Sequence, residues 1–69
     1  MAKSIMLNGV LTALPAEVFT LEQLLKWRTI PTQGTAVAIN GRVIPARMHS
    51  VTQLNEASNV MVLSAAYGG

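Results

Sequence analysis

Apolar and polar positions alternate over short stretches near both ends of the chain and switch once, between them, to a helical spacing. Ser4-Ile5-Met6-Leu7 reads as a strand, and Asn8-Gly9 follows it, a pair that favours a two-residue hairpin because both central positions need positive φ. Val10 to Leu14 is then the returning strand, closed by Pro15, which has no backbone donor. Thr20-Leu21-Glu22-Gln23 fits a capping box, which predicts a helix beginning at Leu21. Leu21, Leu24 and Leu25 share one face of it, Glu22 and Lys26 form an i,i+4 pair on the other, and Trp27 falls at the half-buried rim. Ile30 to Gly34 leaves the helix through Pro31, and Thr35 to Ile39 is a third strand. Asn40-Gly41 turns it into Arg42-Val43-Ile44, which Pro45 ends. A short helical turn is expected within Ala46 to Ser50, a polar connection over Gln53 to Asn59, and a last strand over Val60 to Ala65.

The resulting order is strand, strand, helix, strand, strand, short turn, strand. A crossover containing the helix lets the two apolar terminal strands lie parallel at the centre of the sheet. This is the β-grasp arrangement of the α+β class: a mixed five-stranded sheet with one main helix packed across it. A single domain is expected over residues 1–65, with 66–69 as a flexible tail. Side chains alternate along a strand, so Val60 and Val62 point one way and Met61 and Leu63 the other. If the first pair meets the helix, the second gives the sheet an apolar outer face, to which Met6 adds; such faces mark partner contacts.

Composition narrows what this domain does. A chain of 69 residues buries only about 60% of its unfolded surface, which leaves little room for a large substrate cleft. With 51% hydrophobic residues and a mean hydropathy of +0.41, it has enough apolar material to pack a core. No apolar run approaches the roughly 20 residues of a membrane span, and no leader pattern is evident, so a soluble cytoplasmic protein is expected. The net charge is only +2. Its five cations are dispersed and the aromatics few, which argues against a nucleic-acid partner. Absence of cysteine removes disulfides, thiolate metal sites and thiol nucleophiles together.

Catalytic material is thin. There is no aspartate, and Glu17, Glu22 and Glu56 are dispersed, so a paired-carboxylate site has no local support. His49 lies beside Ser50 and Thr52, but sequence neighbours seldom have base–nucleophile geometry, and a packing role is the expectation. One histidine without cysteine cannot close a metal site, and no Gly-rich phosphate loop is present. Neither catalytic nor metal-binding residues are therefore assigned. What remains is the tail Ala65-Ala66-Tyr67-Gly68-Gly69. A final glycine without a Cβ can thread a narrow channel, and its carbonyl is open to a nucleophile.

The hairpin Ala36-Val37-Ala38-Ile39-Asn40-Gly41-Arg42-Val43-Ile44-Pro45, the β-grasp order and Gly68-Gly69 resemble the sulfur carrier proteins of thiamine biosynthesis, the ThiS family. The likeness spans nearly the whole chain, and the Asn-Gly-x-Val-x-Pro stretch sets it apart from the molybdopterin-synthase small subunits. Two positions depart from the family pattern. Ala46 stands where an arginine usually follows the proline, moving Arg47 one place along, and Ala57-Ser58-Asn59 replaces an acidic-glycine-acidic turn.

The resemblance implies that Gly69 is the sulfur-carrying residue and Gly68 its clearance. A ThiF-like adenylyltransferase would use ATP to make an acyl-adenylate of the Gly69 carboxylate. A sulfur-donating persulfide protein would convert this to a thiocarboxylate, and a ThiG-like thiazole synthase would receive the sulfur. The carrier itself would bind no cofactor and catalyse nothing, and Met61, Leu63 and Tyr67 would contact the partner enzymes. The same residues also fit a molybdopterin-type sulfur carrier, a ubiquitin-like modifier conjugated to lysines through Gly69, or a regulatory binding module.

Overall fold

The computed structural model describes residues 3–64. Five strands, β1 (Ser4–Leu7), β2 (Val10–Ala13), β3 (Thr35–Ile39), β4 (Arg42–Ile44) and β5 (Asn59–Ser64), form one sheet in the order β2-β1-β5-β3-β4. β1 and β5 run parallel, with Leu7 beside Val60, and every other neighbouring pair is antiparallel. The β-grasp expectation holds, including the central parallel pair. β5 begins one residue earlier than expected, at Asn59, because Met6 sits beside it in register.

Both hairpins turn on two residues with positive φ, Asn8 (50°) with Gly9 (82°) and Asn40 (52°) with Gly41 (84°), the combination whose twist matches that of the flanking strands. Between the hairpins lies α1 (Leu21–Trp27). Its Thr20 hydroxyl accepts the Gln23 N–H at 3.2 Å, while the Gln23 side-chain oxygen accepts the Thr20 N–H at 3.0 Å and the Phe19 N–H at 2.8 Å. Three backbone donors at the helix start are thereby satisfied by two side-chain oxygens. The helix closes in a Schellman motif rather than at Pro31. Thr29, at φ 58°, lets the Ile30 N–H reach the Leu25 carbonyl at 2.8 Å while its own N–H reaches Lys26 at 3.1 Å.

Ile5, Leu7, Val37, Val60 and Val62 from one face of the sheet pack with Leu21, Leu24 and Leu25 of α1 in a single buried cluster. Leu14, Val18 and Leu54 complete it from the connections. The expected polar connection thus carries a fully buried leucine, and backbone pairing of Leu21 with Thr52 and of Leu54 with Phe19 holds it against the helix entrance. Trp27 keeps 40% of its surface exposed and is more open than a core-rim residue, its ring covered by the Arg28 guanidinium at 5.4 Å.

The turn before β5 carries strain. Ala57 adopts φ 64° at the third position of the Asn55–Ser58 turn, closed by the Ser58 N–H donating to the Asn55 carbonyl at 3.1 Å. That position favours glycine. Ala57→Gly should raise stability by about 0.5–1 kcal/mol, the left-handed penalty on alanine exceeding the extra chain entropy of glycine, as read from the midpoint of urea unfolding at unchanged slope.

Candidate functional site

Among the described residues no element covers the face of the sheet away from α1. Met61 (42% exposed) and Leu63 (63%) stand on it, while Val60 and Val62 are buried under the helix. The alternation expected of β5 is therefore present residue by residue. Cross-strand neighbours explain why the two side chains protrude. Ala38 pairs with Met61 and Ala36 with Leu63, so each large group stands beside a methyl that cannot shield it. Met6 lies half-buried on the same face of β1, beside Leu11 of β2, and Val43 of β4 pairs with Ala38 at the other side. Leu11 and Val43, both 69% exposed, are members of the face that the pattern of β5 alone did not reveal. Neither short strand alternates in sequence, and only the register of the sheet puts them there.

None of the outward strand positions, Ser4, Met6, Leu11, Ala13, Ala36, Ala38, Val43, Asn59, Met61 and Leu63, is ionisable. The face can therefore be desolvated without stranding a charge, which suits a contact surface and not a catalytic cleft. Elsewhere, an open cleft of about 350 Å³ lies between the β3–β4 hairpin and residues 52–53, lined by Ile39, Asn40, Arg42, Ile44, Thr52 and Gln53. Arg42 is its one ionisable group, so it offers no acid–base pair.

The remaining candidates for chemistry have structural occupations. His49 is buried, with Nε2 3.2 Å from the Ile44 carbonyl; a carbonyl only accepts, so Nε2 carries the proton and donates. The Thr52 hydroxyl donates to the Met48 carbonyl at 2.6 Å and is not held by His49. The Glu56 carboxylate accepts the Ser4 N–H at the start of β1, at 3.2 and 3.4 Å. Among the described residues no group of His, Asp and Glu is placed to hold a metal. Arg47 is exposed on a 3-10 turn, Ala46–Met48. Tyr67, Gly68 and Gly69 lie outside the described residues, as does Ala65, so the structure bears on the tail only through the strand that precedes it.

That strand is held by two residues whose turn signal hid a second role. Where β1 ends, the Asn8 side chain continues the ladder: Oδ1 accepts the Val62 N–H at 2.7 Å and Nδ2 donates to the Val62 carbonyl at 3.4 Å. A side-chain amide thus replaces the peptide group that another residue of β1 would have offered. At the other end of β5, Asn40 Oδ1 accepts the Asn59 N–H at 2.9 Å, and its own N–H donates to the Asn59 carbonyl at 2.8 Å. The Asn-Gly pairs are therefore turns and clamps at once.

A β-grasp sheet with one uncharged apolar face, built around the strand that runs toward the Gly-Gly sequence, defines a domain of the ubiquitin-like class. The ThiS family model matches residues 5–69, and the chain belongs to the ThiS family. Among solved structures it is similar to the thiamine biosynthesis protein ThiS from Geobacter metallireducens, with 17% identity over 88% of this chain and 91% of that one and a TM-score of 0.79. No curated protein matches it in sequence. The family is that of small sulfur carriers of thiamine biosynthesis.

Asn8→Gly keeps the positive φ of the turn and removes both bonds to Val62. The expected loss is about 1–2 kcal/mol in urea unfolding, with faster hydrogen exchange at the Val62 amide than in the parent protein.

Proposed function

We propose that this chain carries sulfur as a thiocarboxylate at Gly69. The observation that carries the reading is the family match, which runs through Gly68 and Gly69. A carboxylate resists nucleophiles because its charge and resonance make it a poor electrophile. Activation requires a carboxylate oxygen to attack the α-phosphorus of ATP and expel pyrophosphate, and this takes place in the site of a ThiF-like adenylyltransferase. The terminal sulfur of a persulfide then attacks the acyl carbon and expels AMP. A second thiol cleaves the resulting acyl disulfide, oxidising to a disulfide as the thiocarboxylate is released. The thiocarboxylate sulfur is the nucleophile passed to a ThiG-like thiazole synthase.

Each partner supplies its own acid, base and nucleotide site, so the carrier needs only a grip and a substrate end. The uncharged face centred on Met61 and Leu63 is the grip, and Tyr67 is a further contact to the partner enzymes. Lack of cysteine and of a base–nucleophile pair among the described residues is consistent with this division.

Deleting Gly69 should abolish adenylation, measured as ATP–pyrophosphate exchange with the adenylyltransferase, while leaving the unfolding midpoint unchanged; retained exchange would exclude Gly69 as the site. Leu63→Glu puts a charge in the centre of the apolar face. It should weaken binding to the adenylyltransferase by roughly tenfold or more, the cost of desolvating an unpaired carboxylate, with a smaller effect on melting temperature. Unchanged affinity in calorimetric titration would remove this face from the interface.

A further inference from the structure

We infer that the free edge of β2 pairs with the same edge of a second copy of this chain, giving a weak two-fold dimer with a continuous sheet. The two edges of the sheet are built differently. β4 has only three residues, carries Arg42 and runs into Pro45, three devices that discourage further pairing. β2 is one residue longer, carries no charged side chain and meets Pro15 only two residues past its end, and it exposes Val10 (64%) and Leu11 (69%) on opposite faces. Among the described residues its only strand partner is β1.

Register shows which backbone groups are free. The Leu14 N–H donates across to the Lys3 carbonyl at 2.6 Å, and the ladder alternates from there, with Thr12 opposite Ile5 and Val10 opposite Leu7. Leu14, Thr12 and Val10 therefore point their peptide groups at β1, and Leu11 and Ala13 point theirs away from the sheet. An antiparallel second copy centred on Thr12 pairs Leu11 with Ala13 of that copy, and Ala13 with its Leu11, each pair exchanging two backbone hydrogen bonds. The large side chain meets the small one in both halves, and Thr12 meets Thr12 across the axis. Residues 8–16 contain no ionisable side chain, so two copies approach without like-charge contact although each is net positive. This self-match favours a second copy over an unrelated strand.

A contact of four residues per copy falls below the roughly 1,200 Å² of a stable interface, which places association on the order of 0.1 mM. Sedimentation equilibrium of the full chain over a concentration series should show reversible dimerisation, and the Leu11 and Ala13 amide resonances should shift with concentration while that of Thr12 does not. Leu11→Lys should weaken the association by about tenfold, whereas Val43→Lys, on the same face at the opposite edge, should leave it within about twofold; far-ultraviolet circular dichroism checks that both variants fold. A parent chain that stays monomeric to roughly 1 mM overturns the inference. So does an association that Val43→Lys abolishes and Leu11→Lys does not, because stacking of sheet faces would then be its cause.

Discussion

β5 must satisfy both of its backbone edges, bury Val60 and Val62, and keep Met61 and Leu63 outside, all within six residues. The rest of the molecule is arranged around that requirement. β1 lies parallel on one side and β3 antiparallel on the other. α1 covers only the face that carries the valines. Where β1 stops short, Asn8 supplies an amide in place of a peptide group, and Asn40 does the corresponding work at the start of β5. Unpaired backbone groups at a sheet centre cost more than most single side-chain contacts contribute, which is why a turn residue is recruited to close the gap.

The same arrangement separates the functions of the two faces. Stability comes from the helix side, where eleven buried apolar residues among those described form one cluster. The outer side adds little to that core, so packing does not dictate its side chains. Alanines at 36 and 38 are small because their neighbours in β5 must stand proud. Ser4 and Asn59 bound the apolar face and limit the contiguous patch.

Most of the architecture was legible because each element carries a local physical signal. Asn8-Gly9 and Asn40-Gly41 announce their hairpins, Thr20 with Gln23 announces the helix start, and the alternation in β5 announces two faces. What escaped the sequence depended on tertiary neighbours. Thr29 and Ala57 occupy left-handed conformations that favour glycine, so nothing local marks them. Leu54 sits in a polar stretch and becomes core only because the connection folds back on Phe19 and Leu21. The clamping role of Asn8 arises between residues 54 apart in sequence. Leu11 and Val43 join the outer face through sheet order, and no short segment encodes that.

The proposed thiocarboxylate requires that the acyl carbon of Gly69 exchange oxygen for sulfur. Its most direct test is the intact mass of this chain after incubation with an adenylyltransferase, ATP and a persulfide donor, with fragmentation to locate the change. The expected result is a mass increase equal to replacement of one oxygen by sulfur, confined to Gly69. An unchanged mass, or adducts joining Gly69 to lysines of other proteins with no sulfur gained, would contradict it.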